Sequence, residues 1–494
     1  MDIIEEYMDV QTSPRYKSMN FKLLYHGKDA AEDGKNGVLR VINRGHIMID
    51  FYLMIFMRYV FLSKEFTLLS EIRSDLDLWL WRDFKEEPTV QTFWTENHMI
   101  AYLSTALLLI EKNDYYTNLL LLGYQDRLMK CLDAWFDTRI ECGFTEYYSP
   151  VYMPYTLEGL LNIIDFSEHK SFVDKASILA TRILDWMAVG FPEDASTHVA
   201  QPRGYVRFIE EPDKRNICDA VRVLMGDPPI NKNSRLLCNL LTSDFFLQYL
   251  LQHIPEIRTE AVLKTFHVPF DKFLTVLNRH ELPLEDHVMF LWGNGMFFNT
   301  HNTLSTARVL TQYNLWNHDH FLFLKSLRMF YCLLPVASYF VRSIADAGQY
   351  LPMTFVRHSF PNYFVTFIQT GTGYCGLQQI PFMARIYDQS IYFIASKTPR
   401  FKDHALASSR MPYITYEAET DIYHIKYKPN CLTPFLGSRV YIKLLADSQL
   451  DNRVITGQNR DVTVEMTFSS KVTIVEGFAV VDALYTNITM KVAS

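Results

Sequence analysis

Two textures divide the sequence. From about Val38 to Val341, apolar residues recur at intervals of three and four, the spacing that puts them on one stripe of an α-helix. The pattern predicts helices over Val38–Leu62, Thr95–Lys112, Tyr116–Ile140, Thr156–Asp165, Lys170–Val189, Asp213–Leu224, Leu236–Gln252, Glu260–Asn278, Glu285–Phe298, Asn302–Tyr313 and His320–Ala347. Short polar joints such as Ser167–Glu168–His169 make successive helices antiparallel neighbours. No fixed period recurs, which excludes a TPR- or HEAT-type solenoid. After about Leu351 the runs become short and β-branched or aromatic, as in Tyr363–Ile368, Phe382–Tyr387, Ile391–Ala395, Ile422–Tyr427 and Val440–Leu445. Val462-Thr-Val-Glu-Met-Thr-Phe468 alternates cleanly, the mark of a half-buried antiparallel strand. The fold class expected is therefore α+β with two domains: residues 1–37 as an extension, 38–349 as a helical array, and 350–494 as an antiparallel β-sandwich or stacked sheet. The stretch Ser343–Met353, with Gly348 and Pro352, is the expected boundary.

Composition narrows the partners. With 48 Lys and Arg against 55 Asp and Glu, the net charge is −7, which argues against nucleic acid or an anionic membrane as the main partner. The chain holds 49% hydrophobic residues, enough to exclude wholesale disorder, and its 35 Phe and 29 Tyr beside only 19 Gly suit packed helices. Seven cysteines, widely spaced and without a C-x-x-C pair, read as buried thiols, not as a disulfide framework or zinc site. The acidic N-terminus has no apolar signal region. The 13-residue run Met329–Val341 is too short to span a bilayer and is expected to be a buried core helix. The lone N-x-T triplet at Asn487 carries little weight. These features make a cytoplasmic location the default, without a membrane span.

Three clusters could carry chemistry. Phe93-Trp-Thr-Glu-Asn-His98 opens a helix, so an acid, an amide and an imidazole radiate from its first turn beside unpaired backbone N–H groups that suit an anion. The plainer alternative is a cap, with Thr95 or Asn97 holding backbone donors and His98 packed. Gly143-Phe-Thr-Glu-Tyr-Tyr-Ser-Pro-Val-Tyr-Met-Pro-Tyr155 sets four tyrosines, a glutamate and a serine in a Pro-interrupted segment. Such phenols stack on sugar faces or exchange protons, or they simply wall the core. Ser196-Thr-His198 with Arg203-Gly-Tyr205 offers a cation pair for a carboxylate, or a solvated loop. Gly371-Thr-Gly-Tyr-Cys-Gly376 lacks the following helix of a dinucleotide fingerprint and is expected to be a turn. The His-bearing stretches Asn299–Asn302 and Asn317–His320 have no metal-ligand spacing; no metal site and no cofactor are expected.

Trp94-Thr-Glu-Asn-His98, Gly143–Tyr152 running into Leu160-Leu-Asn-Ile-Ile-Asp165, Ser196-Thr-His198 and, further on, Gly376-Leu-Gln-Gln379 with Phe382–Tyr387 and Ile391–Ala395 together resemble heparinase II/III-like proteins. The resemblance spans most of the chain and is densest at Phe93–His98 and Gly143–Asp165. It implies an (α/α) toroid, an incomplete α/α barrel, followed by an antiparallel β-sandwich, and the chemistry of a polysaccharide lyase. Such an enzyme removes the proton alpha to a uronate carboxylate and expels the C4 oxygen. By the same resemblance Asn97 would neutralise the carboxylate, and His98 would be the base or would hold the carboxylate. Tyr148 or Tyr152 would donate to the leaving oxygen and serve as a base on the same face. His198, with Arg203, would support the charge. Trp94, Glu96, Glu146, Tyr147, Arg203 and Tyr205 would line the substrate, an acidic polysaccharide or oligosaccharide. A homo-oligomer stays open.

Where the family carries a short His-Gly-Arg run, this chain has His198-Val-Ala-Gln-Pro-Arg203-Gly, which separates the two cations. Two other readings stand beside elimination. One is a glycoside hydrolase using Glu96 and Glu146 as its carboxylate pair. The other is a non-catalytic scaffold, binding carbohydrate or building a virus or cell-surface assembly. The elimination reading requires Asn97, His98, Tyr148 or Tyr152, and His198 to meet at the rim of the helical array.

Overall fold

The computed structural model describes residues 35–36, 39, 49–72, 95–112, 122–146, 148–192, 199–200, 216–229, 235–252, 262–265, 270–294, 302–317, 325, 328–340, 353–370, 375–377, 380–396, 408–410, 412–427, 439–482 and 486–493. Within them the N-terminal half is helical: α1 (Ile49–Ser63), α2 (Thr67–Glu71), α3 (Glu96–Lys112), α4 (Leu122–Cys142), α5 (Tyr152–Phe166), α6 (Lys170–Gly190), α7 (Asn216–Leu224), α8 (Arg235–Leu241), α9 (Asp244–Gln252), α10 (Phe270–Asn278), α11 (Leu284–Gly293), α12 (Thr303–Gln312) and α13 (Leu334–Phe340). One strand, β1 (Val262–Thr265), interrupts them. After Phe340 the next described element is β2 (Met353–Ser359), and only strands follow it.

Side-chain pairings fix how the long helices run. Asp50 and Phe51 at the start of α1 meet His98 and Tyr155, each near the start of its own helix. Further along, Arg58 of α1 bonds Asn162 and Asp165 late in α5, and Glu111 near the end of α3 accepts from Ser167 and Glu168 just past α5. So α1, α3 and α5 run in one direction. The opposite direction belongs to α4 and α6: Arg139 and Trp135, late in α4, reach Glu96 at the start of α3. Lys175, early in α6, pairs with Asp133 and Asp137 of α4, and Arg182 bonds the carbonyls of Arg139 and Ile140. The alternation follows from short joints and from apolar stripes such as that of α3, where Ile100, Leu103, Leu107 and Ile110 are buried. A buried polar knot ties this layer: Arg58, 1% exposed, also donates to the Asn239 carbonyl behind α8, while Asp165 accepts from Ser243.

The C-terminal half contains two large antiparallel sheets. The first has the order β1, β2, β3 (Tyr363–Thr370), β5 (Phe382–Ile386), β6 (Gln389–Ser396), β10 (Arg439–Lys443), β15 (Phe478–Asp482), β14 (Val472–Val475). The second runs β11 (Gln449–Asp451), β12 (Val454–Asn459), β13 (Val462–Phe468), β16 (Asn487–Ala493), β9 (Ile422–Lys426), β8 (Tyr413–Glu417). A short pair joins β4 (Cys375–Leu377) to β7 (Ser408–Arg410). Strand alternation sorts side chains between two cores. On β2 and β3, Val356, Tyr363, Val365 and Phe367 pack toward the second sheet with Tyr423, Ile425, Met466 and Met490. Their neighbours Phe355, Phe364 and Ile368 join the helical core. The two halves are also stitched by polar contacts: Arg357 Nη1 donates to the Val189 carbonyl (2.7 Å), and the Ala200 N–H to Thr366 Oγ1 (2.8 Å).

Four expectations change. The helix expected from Thr156 starts at Tyr152, because Pro154 is tolerated in a first turn whose Tyr152 N–H bonds Ser149 Oγ. The run Leu236–Gln252 breaks at Thr242–Ser243, whose hydroxyls bond Cys238, Asn239 and Asp165 in place of continuing the helix. Within Glu260–Asn278, Val262–Thr265 is a strand, since pairing with β2 overrides local helix spacing. The segment Met329–Val341, expected to be a buried core helix, is a 3₁₀ turn (Arg328–Leu333) followed by the seven-residue α13 as far as Phe340. Pro335, lacking an N–H, fits only the first turn of that new helix, and the split leaves a narrow buried stripe of Leu334 and Ser338. Met329 is 83% exposed and Leu333 58%. No helix among the described residues is long and apolar enough to cross a membrane.

Candidate functional site

The parallel run of α1, α3 and α5 brings their first turns together, and Glu96, Asn97, His98 and Tyr155 lie there. Glu96, Asn97 and His98 occupy the first turn of α3, begun by Thr95, whose carbonyl accepts the Met99 N–H at 3.0 Å. His98 Nδ1 meets Asp50 Oδ2 at 2.5 Å, and its side chain keeps 19% exposure. Phe51 lies between two rings, stacked on His98 (centroids 4.3 Å apart) and on Tyr155 (3.8 Å). Asn97 is fully buried; its Oδ1 accepts from the His98 backbone N–H (2.8 Å) and from the Thr95 hydroxyl. Its Nδ2 has no hydrogen-bond partner among the described residues, a buried donor with capacity to spare.

Glu96 has a different job from the one its position suggested. It is 1% exposed, and its carboxylate accepts the backbone N–H groups of Thr145 (3.0 Å) and Glu146 (2.8 Å) while pairing with fully buried Arg139 (3.2 Å). A carboxylate so engaged is a strut, fastening the 143–150 segment to the start of α3. It does not fit a substrate-facing acid, and Glu146, 2% exposed, is buried beside it.

Tyr148 departs furthest from expectation. With φ of 56° it turns inward, 1% exposed, against Phe355 (4.4 Å) and Phe191 (5.9 Å). Burial pushes its phenol well above the ordinary range, and the nearby Arg357 charge offsets part of that rise. A Cβ on Gly190 would lie 2.3 Å from this ring, so glycine is required there. Tyr148 thus keeps its proton and faces the core. Tyr152 starts α5 half-buried, on a helix and not in a loop, and Tyr155 follows three residues later, close to His98 through Phe51.

Trp94, Tyr147, His198, Arg203 and Tyr205 lie outside the described residues, as do His301 and the segment 318–320. Cys375–Leu377 is a strand, so no helix opens after the glycine-rich run. No cluster of three or more metal-ligating side chains occurs among the described residues. Sequence reasoning missed Asp50, Phe51 and Arg357. Asp50 had one signal, a carboxylate set inside the apolar run Ile47-Met-Ile-Asp-Phe-Tyr52. Arg357 had none beyond its place in a β-branched stretch.

Comparison with models of known families gives no match to this chain, and comparison with curated proteins finds no similar sequence.

Proposed function

We propose that the chain is a heparinase II/III-like polysaccharide lyase, with its described helices belonging to an incomplete (α/α) toroid capped by a β-sandwich. The observation that supports it is the meeting of a buried amide donor, an imidazole and Tyr155 at one end of three parallel helices, with Tyr152 in the first turn of the helix that carries Tyr155. A proton alpha to a uronate carboxylate is removable only when the negative charge spreading onto the carboxylate is met by prepositioned donors. Asn97 Nδ2, a donor already buried, supplies one of them. His98 takes the C5 proton. The electron pair forms the C4–C5 double bond, the C4–O bond breaks, and the leaving oxygen receives a proton from Tyr152, the half-buried phenol at the start of α5. Hydrolysis by Glu96 and Glu146 has less support, since Glu96 is spent on Arg139 and two backbone amides.

A second reading, a non-catalytic scaffold that self-associates, draws on the apolar surface at Met329, Phe330, Leu333 and Val336. One experiment separates the readings. A panel of uronate-bearing polysaccharides is incubated with the protein and with His98→Ala, and ultraviolet absorbance is followed. The lyase produces an unsaturated uronate whose conjugated double bond absorbs, and the variant does not. Reducing ends without that absorbance indicate hydrolysis; neither signal, with self-association in solution, indicates a scaffold. Equal absorbance from both proteins removes His98 from the mechanism.

A further inference from the structure

We infer that Asp50 is the positioning residue of this site, fixing His98 as the Nδ1–H tautomer with Nε2 left as the proton acceptor. The inference rests on the lyase reading and sharpens it, because that reading leaves His98 free to be either the base or the holder of the carboxylate. Three contacts constrain the ring. Asp50 Oδ2 meets Nδ1 at 2.5 Å, Phe51 stacks on one face, and the His98 backbone N–H is held by Asn97 Oδ1. An ionised carboxylate only accepts hydrogen bonds, so the ring nitrogen it meets carries the hydrogen. A neutral ring then has its lone pair on Nε2 and can take a proton there. Holding a substrate carboxylate would instead need a hydrogen on Nε2, which this arrangement provides only in the doubly protonated ring. The carboxylate also places negative charge behind the proton that His98 acquires, the division of labour of a base and its orienting acid.

Asp50 is suited to this and little else. It is 6% exposed, and Oδ1 has no hydrogen-bond partner among the described residues, so the contact with His98 is the one recorded use of its carboxylate. Its place in the first turn of α1 is favourable for an acid in general. That placement alone would not select a particular neighbouring ring or set which nitrogen holds hydrogen. The other titratable group close to the ring among these contacts, Tyr155, lies on the far side of Phe51. Asp50 is therefore the group that sets the tautomer.

The test reads the tautomer directly. Protein labelled with ¹⁵N-histidine is studied by long-range ¹H–¹⁵N correlation at about pH 8.5, roughly two units above an ordinary imidazole pKa. His98→Gln identifies the resonances among the 15 histidines. The wild type is expected to show a protonated, pyrrole-type Nδ1 and a pyridine-type Nε2. Asp50→Asn, whose amide can donate to Nδ1, moves the hydrogen to Nε2 and lowers kcat on a cleaved glycan by about 10²- to 10⁴-fold with KM little changed. Asp50→Glu restores part of the rate. A hydrogen on Nε2 in the wild type, or unchanged nitrogen shifts in folded Asp50→Asn, overturns the inference. Once His98→Gln has identified its resonances, the wild-type spectrum decides without an Asp50 variant and without glycan. Failure of every glycan to react therefore overturns the lyase reading alone, and an Nε2–H ring overturns the role of Asp50 alone.

Discussion

His98 and His358 both lie against aromatic rings, yet their surroundings differ. His98 sits at a helix start, partly open, with a carboxylate on Nδ1. His358 lies inside the sandwich, 6% exposed, its Nδ1 hydrogen-bonded to the Tyr423 hydroxyl (2.9 Å) and its ring close to Tyr416 (4.1 Å) and Phe367 (5.7 Å). Burial drives the His358 pKa down to about 4, against a smaller opposing pull from Asp421. The lesson is that aromatic surroundings do not make a histidine reactive; the partner on its nitrogen and its access to water do. On the proposed reading one moves a proton; the other stays neutral and fills a core.

The sharpest way to break that contrast is to exchange the losses. His98→Asn, whose amide can still donate to Asp50, should lower formation of unsaturated product by about 10³-fold while shifting unfolding free energy by less than ~1 kcal/mol. His358→Ala should do the reverse, costing about 2–4 kcal/mol in urea unfolding with turnover retained. Next in size, Glu96→Ala strands Arg139 as an uncompensated buried cation, with an expected loss of about 3–5 kcal/mol and of activity together. Both are visible in one urea titration and one absorbance assay. Gly190→Ala drives a methyl into the Tyr148 ring and should cost about 1–3 kcal/mol by calorimetry.

The smallest effect is a pH slope. Unfolded His358 titrates near the ordinary value of about 6.5, so between pH 6.5 and 4 the unfolded chain binds a proton that the folded chain excludes. Stability therefore falls on acidification through that window, by up to about 1.4 kcal/mol per pH unit, and His358 adds nothing further below it. Urea unfolding from pH 7 to 4 should show this slope in the wild type and a flatter one in His358→Phe. An unchanged slope would deny His358 its buried, neutral character.

Much of the architecture was legible because burial writes a period into the chain. α3 and α6 match the expected Thr95–Lys112 and Lys170–Val189 within a residue, and β13 keeps the alternation of Val462–Phe468. What failed depended on partners distant in sequence. Val262–Thr265 is a strand because β2 is there to pair with it, and the apolar run from Met329 divides before Leu334, leaving Met329–Leu333 exposed. The site was legible in part. Asn97 and His98 could be located from the Trp-Thr-Glu-Asn-His run, but nothing local said that Glu96 would be a strut. Asp50 escaped notice because its meaning lies in a partner 48 positions away. Tyr148 could not be assigned inward from a string of four tyrosines; its left-handed backbone and the space made by Gly190 decide that.

The strand β1 has a consequence for dissecting the molecule. It comes from the helical half but forms the outermost strand of the first sheet, covering the free side of β2. A fragment beginning at residue 350 would bare the backbone amides and carbonyls of β2 and invite pairing with copies of itself. It would also lose the helices against which Phe355, Phe364 and Ile368 are packed. Severing the polypeptide where its texture changes therefore yields not two independent modules but two sticky remnants, each missing what the other supplies.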